Sequence, residues 1–168
     1  MAYQKLQAGT AIAVIPADNI NIPNPSSEIL RGRLATTTQA TIAGTNTFTA
    51  ANTTFQDGSV KVGDIIYYHG GTGQAMRITA IVSDTVLTVD DGAGGAVANS
   101  AVNSDWEIFK DTNTACVLYV GVAGDLEVNM CNNGATILFT SALNGYHPIQ
   151  VNRVRAANTT ATNIVALW

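Results

Sequence analysis

Hydrophobic residues alternate with polar or small residues through most of the chain, whereas runs with the helical period of about 3.6 are nearly absent. In one such segment Met76 and Ile78 share a face, Ser83 and Asp84 form a turn, and residues 86–89 return as the next strand. The pattern predicts short antiparallel strands joined by turns. We therefore expect an all-β protein, an antiparallel β-sandwich or barrel-like domain with an inserted small antiparallel β domain.

Changes in this pattern divide the chain into three segments. Residues 1–37 show no sustained period, and their alternation of Ile and Asn stops at two prolines, which is typical of an extended arm. The arm is expected to contain one helical turn over residues 26–33 and a short strand that joins the C-terminal β domain. Residues 38–111 predict the inserted antiparallel β domain, and residues 112–168 predict the C-terminal β domain.

Two hairpins are predicted in the C-terminal segment. The first spans residues 114–130 with its loop centred on residues 123–124, and the second turns at the Asn-Gly dipeptide at 133–134. In the first register Cys116 lies opposite Cys131, so a disulfide is sterically conceivable. Reduced and packed thiols are favoured, because the cytosol is reducing. The same register pairs Tyr119 with Val128 and Val117 with Met130, on one apolar face shared with Leu126.

The composition replaces charge with neutral hydrogen-bonding residues. Hydrophobic residues make up 46% of the 168 residues and charged residues only 12%, whereas about a quarter is usual. Thr, Asn, Gly and Ala take the place of the missing charges. A neutral surface fits against close neighbours with little desolvation of charge, and it lacks the usual protection against self-association. The composition therefore favours a protein that tolerates crowding or is assembled into a larger particle.

Charge and cysteine content argue against several classes of function. The net charge is −4 and the pI about 4.8, and no basic run exceeds the pair Arg31 and Arg33, so binding to nucleic acid through a basic face is not expected. The sequence contains no run of about 18 apolar residues that would predict a membrane span. Its first residues do not resemble a signal peptide. Two cysteines without a Cys/His cluster offer no ligand set for zinc. We expect no cofactor, no metal and no membrane partner.

Several short motifs in the C-terminal segment occur together in one family. They are Leu-Tyr-Val-Gly at 118–121, Ala-Gly-Asp at 123–125, a proline-containing strand at 148–154, and Thr-Thr-Ala-Thr followed by an apolar strand at 159–168. In these motifs the chain resembles the spike base proteins of gene transfer agents and their relatives in tailed phages. Residues 11–23 are similar, more loosely, to the opening strand of that family.

The chain departs from that family by a large insertion. In the family the opening strand runs almost directly into the Leu-Tyr-Val-Gly strand, whereas here residues 25–112 lie between them. Within the insertion, Gly-x-Val-Lys-x-Gly-Asp-Ile at 58–65 and Leu-Thr-Val at 87–89 resemble a recurrent pattern of phage head and tail structural proteins.

The resemblance implies a non-enzymatic structural protein of a tailed-phage virion. Such a protein decorates or cements the outer capsid surface, or forms a head spike base, through non-covalent burial against the major capsid protein. The expected partners are the major capsid protein, further copies of the chain in a trimer or pentamer, and another spike or fibre protein. We expect assembly in the host cytoplasm and a final location on the capsid exterior.

Apolar residues near the two ends of the sequence are the predicted partner contacts. In the last strand Ile164 and Trp168 share one face, and other apolar residues occupy the opposite face. Two apolar faces predict burial by the core on one side and by a neighbouring subunit on the other. The predicted contacts are Ile12, Val14, Ile20, Ile22, Ile164 and Trp168.

A receptor- or glycan-binding module of a head or tail fibre is an alternative function. It would expose aromatic side chains that stack on sugar rings. Tyr68 and Tyr146 are the candidate contacts, because each lies next to turn residues. For Trp106, packing in the core is favoured.

A hydrolase of host surface polymers is a further alternative. It would require a cluster built from His69, His147 and Asp125, but the sequence contains no Gly-x-Ser-x-Gly nucleophile elbow. Solvated or packed histidines are therefore favoured. The acidic, glycine-rich stretch at 89–95 lacks the further ligands of a calcium loop and is expected to be a loop tip.

Overall fold

The computed structural model describes residues 8–32, 40–44, 46–112 and 114–168. These residues form an all-β, sandwich-like fold in which two antiparallel sheets pack against each other. Helix is limited to two 3-10 turns of three residues each. None of the helices in the described ranges has the length and apolar character needed to cross a membrane. The predicted all-β fold class is confirmed.

The strands are numbered along the described chain. They are β1 (Ala11–Ala13), β2 (Glu28–Gly32), β3 (Ala40–Ala43), β4 (Thr47–Ala50), β5 (Ile65–Tyr68), β6 (Gln74–Ser83), β7 (Val86–Asp90), β8 (Ser100–Ser104), β9 (Trp106–Phe109), β10 (Cys116–Val122), β11 (Gly124–Met130), β12 (Thr136–Ala142), β13 (Gly145–Val154) and β14 (Thr162–Leu167). One sheet has six strands in the order β1-β14-β10-β13-β11-β12, and the other has eight in the order β2-β9-β5-β6-β7-β4-β3-β8.

The eight-stranded sheet buries an aromatic core. Trp106 of β9 packs edge-to-face against Phe48 of β4, with ring centroids 5.6 Å apart, and lies 5.9 Å from the ring of Phe55. Three strands separate β9 from β4 in the sheet. Their contact therefore requires the sheet to curl over its own core. All three side chains are fully buried, which confirms the core position predicted for Trp106.

The stretch that follows the two prolines of the arm differs from the prediction. A 3-10 turn at Pro25–Ser27 is capped by the side chain of Asn24. Glu28–Gly32 then forms β2 and pairs with β9 of the eight-stranded sheet. The predicted helical turn is wrong here, because strand pairing lets Ile29 and Leu30 pack against the core of that sheet. These residues belong to the larger sheet rather than to the arm.

The first predicted hairpin of the C-terminal segment is also wrong. β10 and β11 follow each other along the chain, but β13 lies between them in the sheet. Tyr119 is opposite Tyr146 of β13, and Cys116 is opposite Val151 instead of Cys131. β13 is ten residues long, which is enough for it to pair with both strands. Tyr119 therefore lies on the outer face, whereas Leu126 and Val128, which were predicted to share its face, are core residues.

The second predicted hairpin is present. β11 and β12 pair antiparallel, with Val128 opposite Ile137. The turn is closed by Gly134 N–H, which donates to the carbonyl oxygen of Met130 at 3.1 Å. Gly134 has a φ of 65°, a left-handed conformation that glycine adopts without steric cost.

The N-terminal arm fastens the two sheets to each other. The backbone N–H groups of Val14, Ala17 and Ile22 donate to carbonyl oxygens of β13 and β14 at 2.8 to 2.9 Å. The side chains of Ile15, Ala17 and Ile20 pack with apolar residues of β5 and β9 in the other sheet. The arm is thus bonded to one sheet through its backbone and packed on the other through its side chains.

Arg153 of β13 holds the middle of this arm. Its Nη1 donates to the carbonyl oxygen of Asp18 at 2.8 Å, and its Nη2 donates to Asn21 Oδ1 at 2.9 Å. Burial lowers the pKa of Arg153, and the neighbouring Arg155 lowers it further. The hydrogen bonds to the arm compensate for this loss of solvation, so the arm and β13 depend on each other.

Asp64, in the turn before β5, is a buried acid. Its Oδ2 accepts a hydrogen bond from Lys61 N–H at 2.7 Å. Burial nevertheless raises its pKa above the usual value of 3.8, because desolvation disfavours the carboxylate. An acid with a raised pKa in the folded state costs no stability at low pH. Its cost grows as the pH rises from the unfolded value through the folded one.

We expect Asp64→Asn to become more stable relative to the wild type as the pH rises from about 3 to about 7, because asparagine keeps an acceptor for Lys61 and does not ionise. The free energy of unfolding in urea, measured at several pH values, checks this. Asp57→Asn is the control with the opposite sign, because hydrogen bonds from Ser59 lower the pKa of Asp57. This control variant should lose stability relative to the wild type over the same range. Parallel pH profiles for the two variants would contradict the expectation.

Candidate docking surface

The outer face of the six-stranded sheet carries exposed apolar side chains. Tyr119 of β10 lies directly opposite Tyr146 of β13 and opposite Val165 of β14. Paired residues of neighbouring strands project to the same side, so the three side chains share a face. Tyr119 is 45% exposed and Tyr146 is 53% exposed. With the pair Val117 and Leu167, which continues the same face, these residues are termed the tyrosine face.

The other face of the same strands is core. Leu118 and Val120 of β10 and Ala166 of β14 are fully buried. β10 and β14 contain no charged residue, and the exposed side chains of Ala11 and Ala13 in β1 extend the neutral surface. Strands that are apolar on both faces are typical of a sheet that is covered on both sides. The tyrosine face therefore has the character of a surface that a neighbour buries.

A second apolar surface lies at one edge of this sheet. β12 is the outermost strand, and its Ile137 and Leu138 are 41% and 44% exposed on opposite sides of the strand. Leu143, just beyond the strand, is 72% exposed. Lysine, proline and other charged residues usually protect an edge strand from pairing with another chain. β12 contains none of them. β12 together with Leu143 is termed the open edge.

Reasoning from the sequence missed Tyr119 and the open edge as surfaces. The signal for the open edge was three consecutive apolar residues at 137–139 directly after a strong turn, which leave no polar face for solvent. The signal for Tyr119 was weaker, because β10 is apolar on both faces and its alternation does not say which face is inside.

The predicted partner contacts lie largely within the chain's own core. Ile20, Ile22 and Ile164 are at most 3% exposed. Ile12, Val14 and Trp168 are partly buried and pack against the core of the six-stranded sheet. Within the part of the chain that the structure describes, the arm contacts this chain's own two sheets. The exposed apolar surface lies on other residues.

The two tyrosines predicted as sugar contacts differ in exposure. Tyr68 is fully buried, and its hydroxyl oxygen lies 2.8 Å from Ser100 Oγ. Its predicted role is wrong, because neither face of the ring reaches solvent. Tyr67 is also buried, and desolvation raises the pKa of its hydroxyl. Tyr146 remains exposed, with Tyr119 directly beside it.

The residues considered for a hydrolase each have a separate partner. His69 Nε2 lies 3.4 Å from Glu107 Oε2 beside the eight-stranded sheet, and His147 Nε2 lies 2.8 Å from the carbonyl oxygen of Leu143 in the smaller one. Asp125 Oδ1 accepts a hydrogen bond from the N–H of Ser141 at 2.8 Å. In the described chain these three side chains are not joined in one hydrogen-bonded triad.

The acidic loop after β7 is organised by its own backbone. The Asp90 carboxylate accepts hydrogen bonds from the N–H groups of Gly92 and Gly94 at 2.8 and 3.0 Å. The Asp91 carboxylate accepts from those of Ala93 and Gly95 at 2.9 and 2.7 Å. The bond from Ala93 contributes most to a lowered pKa of Asp91. The described residues contain no group of three or more His, Cys, Asp or Glu side chains that could hold a metal ion.

Both cysteines are free thiols. Cys116 Sγ donates to the carbonyl oxygen of Val151 at 3.4 Å, and burial raises the pKa of this thiol to about 12. Cys131 lies at the turn between β11 and β12 and borders a shallow pocket of about 260 Å³. This turn pocket is lined by Met130, Cys131, Asn132, Asn133 and Gln150.

Comparisons of the chain with known proteins gave no match. No protein-family model, curated protein or solved structure matched it.

A buried ion pair holds the sheet beside the open edge. Glu127 of β11 is only 9% exposed, and its Oε1 accepts from Asn158 Nδ2 at 2.9 Å. Its Oε2 lies 3.2 Å from Arg155 Nε, which also lies 3.4 Å from Asp18 Oδ1. Glu127 N–H donates to Thr159 Oγ1 at 3.0 Å. Through these contacts the segment after β13 is fastened both to β11 and to the arm.

We expect Arg155→Met to lower the free energy of unfolding by about 1–3 kcal/mol, because it leaves the Glu127 carboxylate buried without its cation. The expected loss is reduced from the value for a fully buried pair because Arg155 is about one third exposed. Glu127→Gln keeps an acceptor for Asn158 and should cost less. Unfolding in urea measures each variant and the double variant.

The double variant should lose less stability than the sum of the two single losses, because Arg155→Met then leaves no buried charge. Arg31→Met is the matched control. Arg31 pairs with Glu28 at an exposed position and should change stability by less than about 0.5 kcal/mol. Additive losses at 127 and 155 would show that the two side chains do not depend on each other.

Proposed function

We propose that the chain is a non-enzymatic structural protein of a tailed-phage virion, which decorates or cements the outer capsid surface or forms a head spike base. It binds the major capsid protein through non-covalent burial of neutral and apolar surface. After assembly in the host cytoplasm it is located on the capsid exterior. The resemblance of residues 118–168 to spike base proteins of gene transfer agents supports this proposal.

The distribution of exposed hydrophobic residues carries the proposal. Eight large hydrophobic side chains are exposed in the described chain, and six of them belong to the six-stranded sheet or its loops. Concentration of exposed apolar surface on one part of a protein marks an interaction site. The six are Tyr119, Val122, Ile137, Leu138, Leu143 and Tyr146.

The size of this surface indicates how it is used. Tyr119 and Tyr146 are each about half exposed and together offer roughly 200 Å² for burial. At about 25 cal/mol per Å² this burial contributes about 5 kcal/mol, which is comparable to the cost of about 4–15 kcal/mol for holding two molecules together. One tyrosine face therefore binds weakly. Several linked copies on a repeating capsid lattice bind tightly through avidity.

A receptor- or glycan-binding module of a head or tail fibre is the second candidate. It is favoured by one observation, the two exposed tyrosine rings at directly opposed positions of a sheet without charges on β10 or β14. Sugar rings stack on such aromatic faces, and neutral hydrogen-bonding neighbours suit their hydroxyl groups. Tyr146 and Tyr119 would be the contacts.

We expect the double substitution Tyr119→Lys with Tyr146→Lys to abolish binding to capsids that lack the chain, because it places two charges in a surface that must be desolvated. The variant should stay folded with a loss of less than about 2 kcal/mol, because both positions are about half exposed and the two lysines lie directly opposite each other. Co-sedimentation of the purified chain with such capsids measures binding. Val82→Lys, at a 58% exposed position of the other sheet, is the matched control and should bind normally.

The wild type and the double variant together distinguish the two candidate functions. Normal capsid occupancy by the double variant would rule out the tyrosine face as the capsid contact. A glycan array without any signal for the wild type would remove the second candidate. Glycan binding that the double variant loses, together with unchanged capsid binding, would assign the face to adsorption instead.

A further inference from the structure

The open edge has the sequence of a strand that can pair with a copy of itself. β12 is the last strand of its sheet, and only one of its two sides is paired with a strand of the described chain. Its residues are symmetrical in type about Leu138. Ile137 and Phe139 flank this leucine, and Thr136 and Thr140 flank those two. Read in either direction, residues 136–140 are Thr, apolar, Leu, apolar, Thr.

We propose that two copies of the chain associate through an antiparallel pair of their β12 strands, with the two-fold axis at Leu138. An interface on a two-fold axis must be complementary to itself, and a strand of palindromic type meets this requirement. In this register Thr136 lies opposite Thr140 of the second copy. Ile137 lies opposite Phe139, and Leu138 lies opposite its own counterpart. Aromatic–β-branched and Thr–Thr pairs across strands each contribute roughly 0.2–1 kcal/mol.

The two faces of the sheet agree with this pairing. Ile137 is opposite Val128 and Phe139 is opposite Leu126 in the β11–β12 ladder, and both partners are core residues, so Ile137 and Phe139 lie on the core side. Leu138 lies on the outer side. A two-fold axis perpendicular to the sheet keeps each side continuous across both copies. Each 41% exposed Ile137 is then covered by an aromatic ring.

The charges at the open edge favour a second copy over a charged peptide. In an antiparallel self-pair, a charged residue close to the two-fold axis lies close to its own copy, so charges near the centre of an edge strand oppose self-pairing. β12 has none. The neighbouring carboxylates on β11 are already engaged, Asp125 by the N–H of Ser141 and Glu127 by Asn158 and Arg155. An acidic or basic segment would find no complementary charge on the strand.

Leu143, directly beyond β12, is 72% exposed, more than any other large hydrophobic residue in the described chain. It adds apolar surface near the end of the proposed pair of strands. The pairing does not depend on capsid binding, which uses the tyrosine face.

Cross-linking at the axis tests the register. In a Cys131→Ser parent, whose remaining Cys116 is buried, Leu138→Cys places two thiols opposite each other at a distance between Cβ atoms of about 4.5–5.5 Å. With a mild oxidant or a short bismaleimide, we expect most of the purified full chain to become a covalent dimer on a non-reducing gel. Val62→Cys in the same parent is the control, because Val62 is 63% exposed in the turn before β5, away from the open edge. This control variant should remain monomeric on the gel.

A charge swap provides a second and independent test. Thr136→Lys with Thr140→Lys sets like charges against each other twice in the proposed register and should weaken dimerisation about tenfold or more. Thr136→Lys with Thr140→Glu sets opposite charges against each other twice and should restore it. Sedimentation velocity of the full chain over a range of concentrations measures both variants beside the wild type.

Three results would overturn the proposal. One is a wild type that is monomeric at every concentration, with no cross-linking at position 138. Another is an oligomer, of two or more copies, that responds equally to the two charge variants. The third is equal cross-linking at 138 and at 62.

Discussion

The apolar layer that the arm inserts between the two sheets is the interaction on which the rest of the structure depends. β5 is buried along its whole length, with Ile66 and Tyr68 in the core of the eight-stranded sheet and Ile65 and Tyr67 directed at the arm. In the layer between β5 and the arm, the ring centroids of Tyr67 and Phe109 lie 5.9 Å apart. A strand with two apolar faces must be buried on both sides. The core of the eight-stranded sheet buries one face of β5, and the arm buries the other.

The arm is held by complementary kinds of contact. Its backbone hydrogen bonds to β13 and β14 give it the geometry of an additional strand segment, while Arg153 and Arg155 secure the polar bend around Asp18. Hydrogen bonds set the position of the arm along the smaller sheet, and the hydrophobic effect draws the larger sheet onto it. The tyrosine face lies on the opposite side of β10 and β14 from the buried core. Its side chains are therefore displayed by a rigid layer and not by a loop.

Local signals in the sequence predicted the elements well, and the choice of partners poorly. Alternation of apolar residues predicted strands, and the Asn-Gly turn predicted the β11–β12 hairpin, because both signals are contained within a few residues. The place of β13 between β10 and β11 depends on residues more than twenty positions further along the chain. β10 is apolar on both faces, so its pattern fits either the hairpin or the observed arrangement.

Local sequence signals also do not determine which residues of the candidate surface are exposed. Tyr68 and Tyr146 both lie beside turns, and the sequence treats them alike. They differ because β5 is central and covered on both sides, whereas Tyr146 lies on the uncovered side of β13. The sequence predicted that a partner would bury Ile20, Ile22 and Ile164. The chain itself supplies that burial through contacts between segments that are about 140 positions apart, which no local pattern encodes.

Pairing between β1 and β14 has a consequence for the order of folding. Residues 28–109, between these strands, form a complete sheet with its own aromatic core, and they require no strand from outside that range. Ala11–Ala13 find their partners only at positions 165–167. Closing a loop of this length is entropically slow and is favoured once the intervening segment is compact. We therefore expect the larger sheet to form first and to shorten the search of the two distant strands for each other.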